Sequence, residues 1–315
     1  MGRALAALME RKRRAFPFRI VAIHTARHGT ACDPSGVPLE PKFGPAAASV
    51  SEFLDHAECD AVVEISTLNP ATGEPAISHI RAAFARKRHV VTANKGPIAH
   101  AYATLRTEAD RAGVAFRFES TVMDGVPVFN MVRNDLPGVQ VLGFTGVLNS
   151  TSQVVIDAMR AGRSMPDGIE AARRLGITEA DASYDIDGWD AAAKAAVLAN
   201  VLMDARLTPL DVDRRGIGRL TPERLIELAQ NRKTVCMVSR GRSSAAGVRL
   251  RVRAEVLDET DPLAAVHGTS NLLLLHTDLM GTIGVMGISG GVEQTAYGLF
   301  SDLVDIAQLA ECARE

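Results

Sequence analysis

Cysteine is scarce and scattered: Cys32, Cys59, Cys236 and Cys312 are the four in 315 residues. None forms a C-x-x-C pair or stands at zinc spacing from a histidine. That argues against a disulfide framework and fits reduced thiols in a cytoplasm. Aromatic residues make up 4% of the chain, too few for a base-stacking surface. The formal net charge of −2 calls for neither nucleic acid nor an anionic membrane. No apolar run reaches the roughly 18 residues of a membrane span. The start, Met1-Gly2-Arg3-Ala4-Leu5, is not a secretory leader, because the basic cluster follows the apolar stretch instead of preceding it. There is no Walker A motif and no HExxH, and the eight histidines show no ligand clustering. A nucleotide-binding sheet usually opens with a strand and G-x-G-x-x-G. Here the chain begins inside the helix that would follow, with Gly2 placed as the last glycine of such a motif.

What is present reads as an ordinary soluble protein, 47% apolar and 23% charged, long enough for two domains. Apolar periodicity predicts a helix over 3–13. A strand is expected at Phe18–Ile23, a helix from Val50 and a buried strand at Ala61–Ile65. A helix over Ala76–Arg86, a strand at His89–Thr92, a helix over Tyr102–Ala112 and a strand at Val114–Phe118 follow. This alternation predicts an α/β fold with a Rossmann-like, doubly wound parallel sheet whose first strand is missing. Such sheets bind ligands at the carboxyl ends of their strands. Arg27, Ser66, Thr67, Asn94, Lys95 and Glu119 are therefore the first candidates. After Pro127 the pattern becomes mixed α+β, with strands at 139–148, 248–256, 272–276 and 282–288, and helices at 154–161, 167–175 and 189–203. Residues 240–247 (RGRSSAAG) read as an exposed turn. The last helix, 295–311, is expected to return to the first domain. The domains are thus 1–127 with 296–315, and 128–295.

The richest segment is GITEADASYDIDGWDAAAK, residues 176–194. Asp190 and Lys194 are four apart on a predicted helix and share a face. By itself such a pair is a surface ion pair of a few tenths of a kcal/mol. Glu179, Asp181, Asp185 and Asp187 crowd the same approach, which suits an amino-acid-like substrate: a carboxylate holds the ammonium and the lysine handles a proton. Ser183, Asp185, Asp187 and Gly188 also fit calcium-loop positions, but the last ligand would be Lys194, a cation where a bidentate Glu is required. Gly287-Ile288-Ser289-Gly290-Gly291 matches the hydrolase elbow G-x-S-x-G. That elbow needs a later histidine, and the last is His276. A Gly-rich turn offering backbone amides to a phosphate, with Gly291, is the remaining reading. Trp189, beside the acidic loop, reads as packing.

Taken together, VVTANKGP (90–97), ESTVMDGVP (119–127), GVLNSTS (146–152), the 176–194 segment, ANVLM (199–203), LTPLDV (207–212) and GISGGVEQTA (287–296) resemble the homoserine dehydrogenase family, over Gly2 to about Ala307. The resemblance implies NAD- or NADP-dependent interconversion of L-homoserine and aspartate 4-semialdehyde. By position, it implies that Lys194 and Lys95 flank the reacting oxygen, that Asp190 orients the substrate and that Glu179, with Asp185, holds it. It also implies cofactor contacts at Gly2, Arg27, Ser66, Thr67, Lys95 and Gly291, with Arg27 placed to meet a 2′-phosphate. A monovalent cation, often sodium, would be bound by Glu119, Val122, Asp124 and Val126, mostly through carbonyls. The family usually has Gly-Ala where this chain has Met123-Asp124, and Pro where it has Gln294. A homodimer formed through the second domain, cytoplasmic, with a small-molecule substrate and no nucleic-acid or membrane partner, completes the expectation. No regulatory domain is expected after residue 315. Two other readings stay open: a non-catalytic relative that binds a small amino acid or a partner, and a dehydrogenase of a related amino-acid alcohol. Either the true start lies upstream of Met1 or the chain is a repurposed relative.

Overall fold

The computed structural model describes residues 1–178 and 181–312. They fall into two compact units: Met1–Pro97 with Ala101–Gly125 and Val292 onward, and Ile98–His100 with Val126–Gly291.

The first unit is built on a parallel sheet of three strands in the order β3 (Ala61–Glu64), β4 (His89–Thr92), β5 (Phe116–Arg117). Helices cover both faces. On one side α1 (Gly2–Lys12) and α11 (Val292–Cys312) bury Leu5, Leu8, Met9, Leu299, Phe300 and Leu303 against Val91, with Ala61, Val63 and Ile65 packed alongside. Each such side chain contributes about 1.5–3 kcal/mol on burial, and their three-to-four spacing on α1 is what makes that segment a helix. On the other face α2 (Val50–His56), started by the Ser49 cap, and α3 (Ala76–Ala85) pack, with Phe84 edge-on to Phe116.

The strand expected at 18–23 is displaced. Residues Ala22–Thr25 (β1) pair antiparallel with Gly29–Cys32 (β2), as a separate hairpin, not with the parallel sheet. Gly29 directs this: it adopts φ +89°, which closes a turn that an L side chain resists. The backbone of 20–21 is taken locally, since Val37 N donates to Ile20 O and Asp33 N to Val21 O. Phe16, Phe18 and Ile20 still pack against the α1/α11 cluster. Arg27 therefore lies exposed in the hairpin turn, not at the end of a parallel strand.

The second unit carries a six-stranded sheet in the order β11-β10-β6-β8-β9-β7, mostly antiparallel. Its strands are β6 (Val141–Val147), β7 (Asp213–Arg214), β8 (Lys233–Ser244), β9 (Gly247–Asp258), β10 (Asn271–Thr277) and β11 (Thr282–Gly287). Its helices are α5 (Val128–Asn130), α6 (Ser150–Arg160), α7 (Met165–Arg174), α8 (Ser183–Ile186), α9 (Trp189–Leu202) and α10 (Pro222–Gln230). Ala191 to Ala199 on α9 are buried on every side apart from Lys194. A helix apolar all round belongs inside a core, so the two charges on it, Asp190 and Lys194, sit at buried positions. The segment 240–247 is not a loop: β8 continues to Ser244 and turns into β9 through Ala245 and Ala246 alone.

One sheet face packs on α9. The other carries a hydrogen-bonded polar row across five strands. Thr282 Oγ1 meets His276 Nδ1 at 3.0 Å and His276 Nε2 meets Thr145 Oγ1 at 3.0 Å. Arg240 donates to Thr145 at 3.2 Å and to both oxygens of Glu255, which Arg251 also engages. A short 3-10 turn, Pro262–Ala265, covers this face at one end over Cys236, Val238 and Leu257. Burial pushes the Cys236 thiol up to about 12, so it is an inert core residue.

Candidate active site

In the second unit, β6 ends at Val147, and Leu148 and Asn149 lead into α6. Asn149 caps that helix, its Oδ1 accepting from Ser152 N at 2.7 Å. This fixes the amide, so its Nδ2 faces the acidic segment. Nδ2 donates to Asp185 Oδ1 at 2.7 Å and to Asp190 Oδ2 at 2.9 Å. Asp190 is the second residue of α9. Its Oδ2 also lies 3.2 Å from Lys194 Nζ, one turn later. Lys194 Nζ donates to Leu148 O at 2.6 Å. Gly188, at φ +81° and close to Met237 and Val252, lets α9 start here. Arg214 lies over the Trp189 ring at 3.7 Å, so that ring is occupied by packing, as its sequence position suggested.

Asp190 and Lys194 have side chains only 10% and 16% exposed. The surface-pair value of a few tenths of a kcal/mol therefore does not apply; removing one partner from a buried pair costs several kcal/mol. Asp185 accepts further from Thr178 Oγ1 at 3.1 Å. Burial, then the Asp190 charge, pushes the Asp185 carboxyl above its usual range, while the Asn149 and Thr178 bonds oppose the shift. Burial, Asp190 and Asp185 also raise the Tyr184 phenol, which stays neutral. The result is a positioned ammonium beside crowded, hydrogen-bonded carboxylates, fit to hold a cationic group and to protonate an oxygen. Glu179 lies outside the described residues. Asn149 and Thr178 are the residues the sequence reading left out; the Asn-Ser-Thr-Ser run before an apolar stretch is the capping signal that points to the first.

In the first unit, the chain leaving β3 and β4 lines a cavity of about 180 Å³ formed by Met1, Ile65, Ser66, Leu68, Ala93, Asn94 and Lys95. Glu64, 4% exposed, organises this end. Its carboxylate accepts from Ser66 N and Oγ and from Thr92 Oγ1, with His79 Nδ1 at 3.4 Å. Asn94 N donates to Thr92 Oγ1, and Asn94 Oδ1 accepts from Gly96 N. Asn94 thereby caps α4 (Lys95–Ala112), which starts earlier than expected because Pro97 is tolerated in a first turn. Gly73 and Gly96 touch backbone to backbone; a Cβ on Gly73 would meet Gly96 O at 2.9 Å. Thr67 is exposed, and Gly2 opens α1, its position next to Ile65.

Glu119 and Val122 are each 2% exposed, and Asp124, at φ +54°, accepts from Thr295 Oγ1. These three belong to the first unit and Val126 to the second; Lys95 and Lys194 are divided in the same way. Gly291 lies in the turn before α11.

A doubly covered parallel sheet together with a mixed-sheet unit built around a buried Lys–Asp pair defines a class, the α/β oxidoreductases with a Rossmann-like nucleotide-binding unit. Comparison with known proteins narrows it. The family described as homoserine dehydrogenase matches residues 127–304, and the homoserine dehydrogenase NAD binding domain matches residues 1–119. An NAD(+)-dependent homoserine dehydrogenase of Pseudomonas canavaninivorans is 36% identical over 257 residues, 81% of this chain and 73% of that one. Homoserine dehydrogenase of Methanocaldococcus jannaschii is 34% identical over 305 residues, 92% and 89% of the two chains. A hyperthermophilic archaeal homoserine dehydrogenase solved in complex with NADPH superposes with a TM-score of 0.82 at 27% identity, covering 98% of this chain and 94% of that one. The chain belongs to the homoserine dehydrogenase family.

Proposed function

We propose that this protein interconverts L-homoserine and L-aspartate 4-semialdehyde with NAD or NADP. The observation that carries this is the Lys194 ammonium, fixed between Leu148 O and Asp190 and beside Asp185. When bound, the nicotinamide supplies or accepts the hydride. Aldehyde reduction builds negative charge on oxygen; Lys194 stabilises that charge and delivers the proton, and it takes the proton back in the reverse direction. Asp190 holds Lys194 in place. Asp185 and Glu179 take the substrate ammonium, and Lys95 is the second cation assigned to the reacting oxygen.

The cavity past β3 and β4 fits a portion of a dinucleotide. Its residues Ser66 and Lys95 lie at strand carboxyl ends, and the outward N–H groups at the start of α1, at Gly2, suit a phosphate. Thr67, Gly291 and Arg27 are assigned to the same cofactor, Arg27 to a 2′-phosphate. Oxygen donors at Glu119, Val122, Asp124 and Val126 suit a hard monovalent cation. We assign the homodimer contact to the sheet face that carries the Arg240–Glu255 row, and sedimentation of an Arg240→Glu variant as a monomer would bear this out. No helix of the described residues is long and apolar enough to cross a membrane; a cytoplasmic place is part of this proposal.

The test is homoserine-dependent reduction of NAD and NADP, preceded by direct binding of each reduced cofactor. Lys194→Ala is expected to lower turnover about a hundredfold or more with the fold intact by circular dichroism. Near-normal turnover would remove Lys194 from the chemistry. Absence of both cofactor binding and turnover in the parent protein would favour the non-catalytic reading.

A further inference from the structure

Tyr184 is the second residue of α8, between the Asn149-bound Asp185 and the acidic segment before it. Its hydroxyl oxygen is fully shielded and has no hydrogen-bond partner among the described residues. A buried hydroxyl left unmade costs about 1–3 kcal/mol, and phenylalanine would fill the same space without that cost. Among the described residues, the charges that act on this phenol are Asp190 and Asp185, both carboxylates, and it bonds to neither. Each is committed elsewhere: Asp185 accepts from Asn149 and Thr178, and Asp190 from Asn149 and Lys194. The surroundings are thus acidic and the phenol is neutral.

We propose that the Tyr184 hydroxyl is a substrate-specificity contact whose oxygen accepts a hydrogen bond from the ammonium of an α-amino-acid substrate, beside Asp185. This rests on the function proposed above and adds a residue to it. A primary ammonium has three N–H donors. Carboxylates take some of them, and a neutral oxygen takes another without adding charge to a site that already holds two buried carboxylates. A substrate that lacks the ammonium would leave the phenol unsatisfied and gain nothing from it. Discrimination of that kind, by a polar group left unpaired with the wrong ligand, is stronger than discrimination by shape.

Tyr184→Phe tests this, read by steady-state kinetics with L-homoserine, by calorimetric binding of L-2-aminobutyrate and of butyrate, and by thermal melting of the free protein. The expected result is a KM for homoserine raised roughly tenfold or more, as for a lost hydrogen bond to a charged group. The loss falls on KM more than on kcat, with the KM for cofactor unmoved. Binding of 2-aminobutyrate weakens by a similar factor, binding of butyrate does not change, and the free variant melts at the same temperature or higher. Unchanged 2-aminobutyrate affinity in a folded variant overturns the proposal, as does equal weakening for butyrate. If the parent protein binds 2-aminobutyrate but never oxidises homoserine, the proposed reaction fails while the calorimetry still decides the role of Tyr184. If the parent binds no amino acid, both fall.

Discussion

Asn149→Asp changes one atom group at the centre of the site and leaves its shape alone. The helix-capping oxygen survives, so the 2.7 Å bond from Ser152 N is kept. What is lost is the Nδ2 donor shared by Asp185 at 2.7 Å and Asp190 at 2.9 Å. Two hydrogen bonds to charged groups are worth about 1.5–3 kcal/mol each, which sets the loss at roughly 3–6 kcal/mol if the introduced carboxyl ionises. Repulsion then adds about 5 kcal/mol for each carboxylate some 3 Å away at an effective dielectric near 20. The introduced group therefore avoids ionising and takes a proton, which restores a donor between the two carboxylates. Its pKa is raised in the folded state. The penalty is accordingly absent below its unfolded value, grows as pH rises towards the folded value at about 1.4 kcal/mol per pH unit, and is constant above it. Urea melts of parent and variant over a pH series, extrapolated to water, give this difference directly. The variant should be closest to the parent at about pH 4, near the unfolded Asp value, and several kcal/mol weaker in mild alkali. A difference that is flat with pH, or that widens towards acid, would refute the shared-amide account of the site.

Glu64 has the opposite sign. Despite the opposing effect of burial, its bonds to His79 and Ser66 hold the carboxyl below its usual 4.5. That stabilisation is present above 4.5 and is lost as pH falls from there through the lower folded value. Glu64→Gln should remove this part of the acid limb from the pH–stability curve; an acid limb identical to the parent's would count against it. Gly241→Ala places a methyl 2.2 Å from the ring of Phe144 across the β6–β8 pair. With Phe144 only 1% exposed, the ring cannot move aside cheaply. About 1–3 kcal/mol of destabilisation is expected, read by thermal melting, and an unchanged melting temperature would show that the sheet shifts at little cost.

The elements legible in the sequence are those whose signals are local. Ala61–Glu64 and His89–Thr92 are short apolar runs between amphipathic helices, and both are strands of the parallel sheet. The Asp190–Lys194 pair follows from helical spacing alone, and it is present at 3.2 Å. Strand β8 escaped because its centre, Thr234–Ser239, is buried on both faces and shows no alternation, while Gly241, Ser243 and Ser244 read as turn residues. The helix Pro222–Gln230 escaped although Thr221 and Pro222 are ordinary start signals. Residues 18–23 satisfied every local criterion for a parallel strand, yet whether a strand joins a sheet depends on a neighbour, and the chain instead closes a hairpin at Gly29. Asn149 is legible locally as a cap, but its link to the two carboxylates was out of reach for the same reason. It stands 36 and 41 residues from the two carboxylates it joins, and no periodicity spans that distance.

The charge at the described core of the site favours a cationic guest. Asp185 and Asp190 contribute two negative charges when ionised and Lys194 one positive, leaving a net of −1, and both carboxylates share one neutral amide. Two carboxylates so placed resist joint ionisation, which is the direction in which Asp185 is pushed. Under the proposed function, an incoming ammonium would relieve that resistance and gain its own hydrogen bonds. In the same proposal the substrate ammonium is drawn to Asp185 and the reacting oxygen to Lys194, whose Nζ lies 3.2 Å from Asp190. Under the proposed function, a site assembled in this way tells the charged ammonium of homoserine from its neutral hydroxyl end before any contact of shape is made.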